Sequence, residues 1–345
     1  MQTHHDPNHH AVCKELSANA HRALQMRCIP GVTALGAFLL LTVSLFAQET
    51  PVAPEGTQVA TQQTPAAAAN AEELRKEAQN PVAALISVPF QSNLNFNIGP
   101  ADRTQSVLNV QPVIPFSVSK DWNLIVRWIT PIIYQPISVP QESGPPLQTT
   151  GVHGLGDMNP SFFLVPKKSK IIWGIGPTFV LPTATNTTYL GQGKFSMGPS
   201  LVILAQPPHW TIGFLANNIW SVAGHSDLNK PAVNQFLLQY LVNYNLKKGW
   251  YLTSSPIITA NWRGTDNNVW TVPWGGGVGR IMKLGFQPVN IAVEMYGNPV
   301  RPPGTSPWGL RMKFVLLFPQ LSKEQEKMLL EQKLKQLNQE PPQKQ

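Results

Sequence analysis

Cysteine is nearly missing from this chain. Cys13 and Cys28 are the two in 345 residues, and both precede the apolar run from Val32 to Phe46. A chain processed after that run keeps neither, which excludes disulfides, Cys-bound zinc and thiol nucleophiles from the mature part. Charge is also scarce, at 13% of residues, about half the share of a soluble domain. Beyond the N-terminal segment no run of about 20 apolar residues occurs, which excludes helical membrane spans. The net charge of +8 is spread out, and no basic helix or aromatic–basic cluster points to nucleic acid. Low charge without helical spans suits a transmembrane barrel, whose hydrophobicity sits on alternate residues.

That alternation is present. From Phe236 to Trp262 the chain reads FLLQYLVNYNL, KKG, WYLTSSPIITANW. Phe236, Leu238, Tyr240, Val242, Tyr244 and Leu246 alternate with polar residues, with Leu237 and Leu241 as lapses. Period two over such a length predicts two long half-buried strands joined by a very short turn, Lys247–Gly249. Twelve such segments run through 84–96, 106–118, 122–135, 155–166, 171–182, 195–206, 210–222, 236–246, 250–262, 269–280, 287–298 and 307–318. Short connections alternate with mostly longer ones, the pattern of periplasmic turns and outer loops. The expected fold is all-β: an antiparallel up-and-down transmembrane β-barrel of about twelve strands over residues 84–318. An even strand number leaves both chain termini in the periplasm.

The flanking segments read differently. Residues 1–47 have the layout of a signal peptide, with Arg22 and Arg27 ahead of the apolar run, and Met26 as a possible true start. His4, His5, His9 and His10 fall in this segment, so no functional metal site is expected of them, and no cofactor is implied elsewhere. Residues 48–83 read as a linker with a short helix at Ala71–Gln79, taken as a solvated linker helix, with a helix at the periplasmic mouth or plugging it as the alternative. Residues 319–345 read as a periplasmic helical tail, with Leu330, Leu334 and Leu337 on one stripe.

Residue placement separates a barrel from a secreted sandwich. The strand charges Arg127, Asp157, Glu294, Arg311 and Lys313 all fall on the polar face and are candidate lumen-lining residues. A Lys or Arg facing lipid at mid-depth would cost roughly 2–4 kcal/mol. Trp122, Trp173, Trp210 and Trp250 sit beside short turns, whereas Trp128, Trp220, Trp262, Trp270, Trp274 and Trp308 sit towards the long loops. Two tryptophan levels are what two membrane interfaces favour. Prolines inside the segments, such as Pro112, Pro177, Pro199 and Pro256, oppose closed ladders. Their similar distance from the short turns predicts a proline belt near the outer rim.

The strings AQNPVAALISVPFQSN (78–93), LNVQPVIPFSVSKDWNLIVRWITPIIYQP (108–136), GLGDMNPSFFLVP (154–166), WGIGPTFVLPTAT (173–185) and VPWGGGVGRIMKLGFQPVNI (272–291) carry a resemblance. Over about residues 72–318 the chain resembles a bacterial outer-membrane β-barrel family labelled "transporter" or, by mislabelling, "neuromedin U". That family is similar to the meta-pathway phenol-degradation barrels. The resemblance implies a barrel in the outer membrane of a Gram-negative bacterium and supplies no substrate.

The functional expectation is a porin-like passive channel or transporter for small solutes, aromatic or anionic ones included, and not an enzyme. Its expected partners are outer-membrane lipids and, through the strand 308–318, the outer-membrane assembly machinery. The alternatives are a plugged structural or surface-display barrel and, below it, an outer-membrane hydrolase. The hydrolase would use His153 with Asp157, or His225 beside Ser226 and Asp227.

Overall fold

The computed structural model describes residues 65–137, 150–224, 230–265 and 268–319. His225 and residues 320–345 lie outside them, as do residues 1–64, where the signal peptide and most of the linker are expected. A helix, α1 (Pro65–Ala78), leads into fifteen strands. These are β1 (Ile86–Ile98), β2 (Arg103–Val110), β3 (Val113–Ser117), β4 (Trp122–Ile137), β5 (Thr150–Leu155), β6 (Asn159–Pro166), β7 (Ile172–Val180) and β8 (Lys194–Ala205). There follow β9 (Trp210–Gly224), β10 (Asn234–Asn245), β11 (Trp250–Ser254), β12 (Ile257–Asn261), β13 (Trp270–Leu284), β14 (Gln287–Val300) and β15 (Trp308–Phe318). Three pairs, β2 with β3, β5 with β6 and β11 with β12, each form one interrupted stave, so the wall has twelve staves. Neighbouring staves pair antiparallel, and β15 returns to β1 with Phe318 opposite Ile86 and Trp308 opposite Phe96. The sheet is therefore a closed barrel, the expected fold, and closure leaves no edge strand unpaired.

The turn between β10 and β11 shows why the hairpins are tight. Lys248 (φ 57°) and Gly249 (φ 79°) are both left-handed, and a Cβ on Gly249 would stand 2.2 Å from the Ile281 carbonyl oxygen.

The prolines coincide with gaps in the ladders. Gln111-Pro112 and Ser255-Pro256 interrupt their staves with strand on both sides. Pro89, Pro131, Pro177 and Pro199 stand inside continuous strands. The ladder is broken on one side only at each of these four. Between β6 and β7, pairing passes from Ser161–Thr178 to Leu164–Ile175, skipping Pro177. Between β8 and β9 it passes from Met197–Trp220 to Ser200–Asn217, skipping Pro199. Pro177 and Pro199 remain opposite one another in the β7–β8 ladder. A proline lacks one N–H and keeps its carbonyl, so the wall stays continuous on the other side.

The short-turn half of the lumen is filled. Inward residues there depart from the polar pattern: Val113, Ile125, Phe163, Val165, Val202 and Leu215 form one buried patch, against which Val82 packs. Tyr251, Ile281, Ala292, Val315 and Leu317 form a second, against which Ala83 and Leu85 pack. The two patches belong to opposite walls, so the short stretch from Val82 to Leu85 bridges the lumen. Leu74 and Ala78 of α1 extend the second patch. Polar contacts fix the segment at the short-turn mouth. The Gln79 amide donates to Asn245 Oδ1 (2.7 Å) and accepts from Thr211 Oγ1 (2.8 Å), and Gln206 Nε2 donates to the Lys76 carbonyl (2.7 Å). The end of the helix is thus packed into the barrel and is not a solvated linker. Burying Val82 and Leu85 contributes about 1.5–3 kcal/mol each, and their alternative is to leave an apolar lumen floor in water.

Candidate functional site

Directly above that floor lies a layer of charge. Glu294 on β14 stands opposite Arg311 on β15, and Lys313 follows two residues later on the same inward face. Pairing in an antiparallel sheet puts opposite residues on one face, so the register itself brings these three together. Lys313 Nζ lies 2.6 Å from Glu294 Oε1, and Arg311 Nη1 lies 3.3 Å from Oε2. Glu294 is 1% exposed and Arg311 8% exposed.

The interruption at Pro256 completes the cluster from two staves along the same wall, with β13 between. Ser255 Oγ donates to Glu294 Oε2 (3.0 Å), and the Ser255 N–H donates to the Tyr296 hydroxyl (2.9 Å). Tyr296 in turn donates to the Glu294 carboxylate. The Ser255 carbonyl accepts from Arg311 Nη1 (2.8 Å) and from Gln239 Nε2 (3.3 Å), and Lys313 Nζ donates to Ser255 Oγ (3.1 Å). The strand break therefore frees backbone groups that the charged side chains satisfy. Arg311 is held further by Asn93, whose Oδ1 accepts from Nε at 3.1 Å, and by the Tyr296 ring, 4.8 Å from the guanidinium carbon. Two cations meet one carboxylate, so the layer carries a net positive charge. Charges fixed in a low-dielectric wall act on one another and on nearby charge far more strongly than a solvated pair would.

Of the other charged candidates, Arg127 stands near enough to Lys313 to act on it electrostatically, and Asp157 is engaged elsewhere. Arg127 on β4 faces inward opposite Val113 and donates from Nη2 to Gln111 Oε1 (3.0 Å). Asp157 stands between β5 and β6, where its carboxylate accepts from the backbone N–H groups of Ala184 (3.1 Å) and Gln192 (2.6 Å). It pins the connection between β7 and β8, and Leu190 of that connection is buried beside Gly154 and Gly156. With both oxygens so engaged, Asp157 does not orient His153, which sits opposite Tyr134 in the β4–β5 ladder. His209, in the turn before β9, lies 6.4 Å from the Tyr244 ring.

The tryptophans stand on the outer wall. Trp128, Trp210, Trp220, Trp250, Trp262, Trp270, Trp274 and Trp308 are exposed, and Trp122 packs edge-on against Trp173 at 5.7 Å. Trp262 meets Trp270 at 5.4 Å, and Trp308 stacks on Phe96 at 4.1 Å. Arg280, passed over in the sequence, faces outward beside the short turns with its guanidinium 5.1 Å from the Trp250 ring. Ser255 and Tyr296 were also missed. The proline after Ser255 was the one signal that the ladder would be interrupted there.

No protein-family model matches the chain, and neither does any curated protein. Solved structures do. An outer membrane channel from Pseudomonas putida F1 is similar at 14% identity, with a TM-score of 0.51 over 69% of this chain and 97% of that one. The NanC porin (9% identity, TM-score 0.41) covers 68% of this chain and 100% of its own. Outer membrane phospholipase A from Escherichia coli (11%, TM-score 0.38) covers 68% and 97%. At the identity of the channel the likeness is one of fold alone: a barrel of the kind found in bacterial outer membranes. The family labels suggested by the sequence strings are not those these neighbours carry.

Proposed function

We propose that this barrel lies in a bacterial outer membrane with both chain ends in the periplasm, and that it is a passive channel or transporter for small solutes, favouring anions. The observation that supports this reading most is the charge layer: Arg311 and Lys313 face the lumen against the single carboxylate of Glu294. A narrow lumen with excess fixed cationic charge lowers the barrier for anions and raises it for cations. The outer face, apolar with aromatic residues at two levels, suits lipid, and the Trp308–Phe318 strand that closes the wall is the segment we assign to the assembly machinery.

Planar-bilayer recording tests the reading. Ohmic steps with a reversal potential displaced towards the anion value are expected under a salt gradient, and Lys313→Gln is expected to reduce that displacement. Steps that show cation preference would refute it. The second reading, a plugged structural barrel, is favoured by Val82 and Leu85 bridging the lumen. Complete absence of current, with and without residues 65–84, would support that alternative.

A further inference from the structure

On the long-loop side of the charge layer the inner wall is hollowed. Asn93, Asn95, Tyr296, Asn298 and Arg311 line a recess of about 110 Å³ that opens to the lumen, with Ile257 and Pro273 as its apolar side. One apolar side with a few convergent polar groups is the lining of a small-molecule site.

The hydrogen-bond inventory shows which groups are left for a ligand. Arg311 spends Nε on Asn93 and Nη1 on Ser255 and Glu294, while its Nη2, with two N–H groups, bonds none of the described residues. Asn95 donates its amide to Gln105 Oε1 (2.7 Å) and Asn298 donates its amide to the Ser306 carbonyl (2.8 Å). Their Oδ1 atoms accept from none of the described residues. The recess therefore offers one cationic donor edge, held rigid by Asn93 and the Tyr296 ring, and two neutral acceptors on β1 and β14, the strands that flank β15. Donors to those acceptors must come from the ligand, and hydroxyl groups are the simplest.

We infer that this recess binds a small hydroxylated carboxylate. The carboxylate meets Arg311 Nη2, hydroxyl groups donate to Asn95 and Asn298, and the carbon skeleton lies along Ile257 and Pro273. A planar guanidinium edge suits a carboxylate better than a point charge does. Anions lacking hydroxyls leave two amide oxygens unpaired, and neutral sugars leave the arginine edge unpaired, so the site discriminates against both. This inference deepens the channel reading, on which it rests for the solute's route.

Calorimetric titration of the full chain in detergent micelles tests it, with gluconate as probe and glucose and pentanoate as controls. Saturable gluconate binding is expected, about tenfold or more tighter than either control, since bonds to a charged group contribute that much. Arg311→Gln should abolish it. Because that change also disturbs the Glu294 pairing, Asn298→Leu provides a second variant, filling the recess without touching an ion pair. It should weaken gluconate at least tenfold in protein whose unheated gel mobility shows a folded barrel. No saturable binding, equal binding of glucose, or unchanged binding by Asn298→Leu would overturn the inference. Bilayer current without gluconate binding removes the site and leaves the channel, whereas binding without current removes the channel and leaves the site.

Discussion

Glu294 carries more than its share of the lumen. Its two oxygens take Lys313, Arg311, Ser255 and Tyr296, so replacing it leaves two buried cations facing each other. Glu294→Gln is expected to destabilise the barrel by about 3–5 kcal/mol, the cost of stranding a buried charge, read as a lower urea midpoint in micelles. The same change should displace the reversal potential further towards anions. Tyr296→Phe removes a hydroxyl that serves both Glu294 and the Ser255 N–H but keeps the ring under Arg311. A loss of about 1–3 kcal/mol is expected from the unpaired groups, without the change in reversal potential. Equal effects from the two variants would mean that the carboxylate's charge matters no more than its hydrogen bonds. Of this cluster, the charged members were legible, because period two put Glu294, Arg311 and Lys313 on one face. Their meeting with Ser255 was not, since it depends on side chains reaching past the intervening stave β13.

At the scale of elements, the N-terminal segment is the part that alternation could not describe. It has no period of two, and its neighbours in sequence are rich in alanine. The trace it leaves is on the barrel: Ile125, Phe163, Val202 and Leu317 are apolar and point inward, as does Leu237, the lapse in the β10 alternation that packs beside them. Such lapses are the sequence image of a docked plug. Deleting residues 65–84 is expected to raise single-channel conductance several-fold in a barrel that still migrates as folded. Unchanged conductance would show that the segment does not limit flow. Leu85→Ala, at a fully buried position, should cost about 2–5 kcal/mol of docking and give bursts of the deleted form's larger steps. The prolines belong to this scale too. Each appeared as an obstacle to a strand, and the gap beside Pro177 or Pro199 in one ladder shows how the wall tolerates them.

For the whole molecule, the two sides of the wall have different solvents, and a single substitution distinguishes them. Val293 on β14 faces outward and is 45% exposed, between the inward Ala292 and Glu294. Val293→Arg is expected to lower stability by about 2–4 kcal/mol in a bilayer-like medium, as arginine facing hydrocarbon does. A loss under about 0.5 kcal/mol, the usual effect at a water-facing surface, would argue that this face does not meet lipid. The sequence by itself determined the strands, their faces, the tight turns and the number of staves, because each rests on local chemistry: period two, left-handed turn residues and the cost of misplaced charge. It could not determine that Ser255 completes the Glu294 cluster, or that Val82 and Leu85 span the lumen. Those contacts join residues far apart in the chain, and they exist only once the wall has curved and the N-terminal segment lies between its two sides.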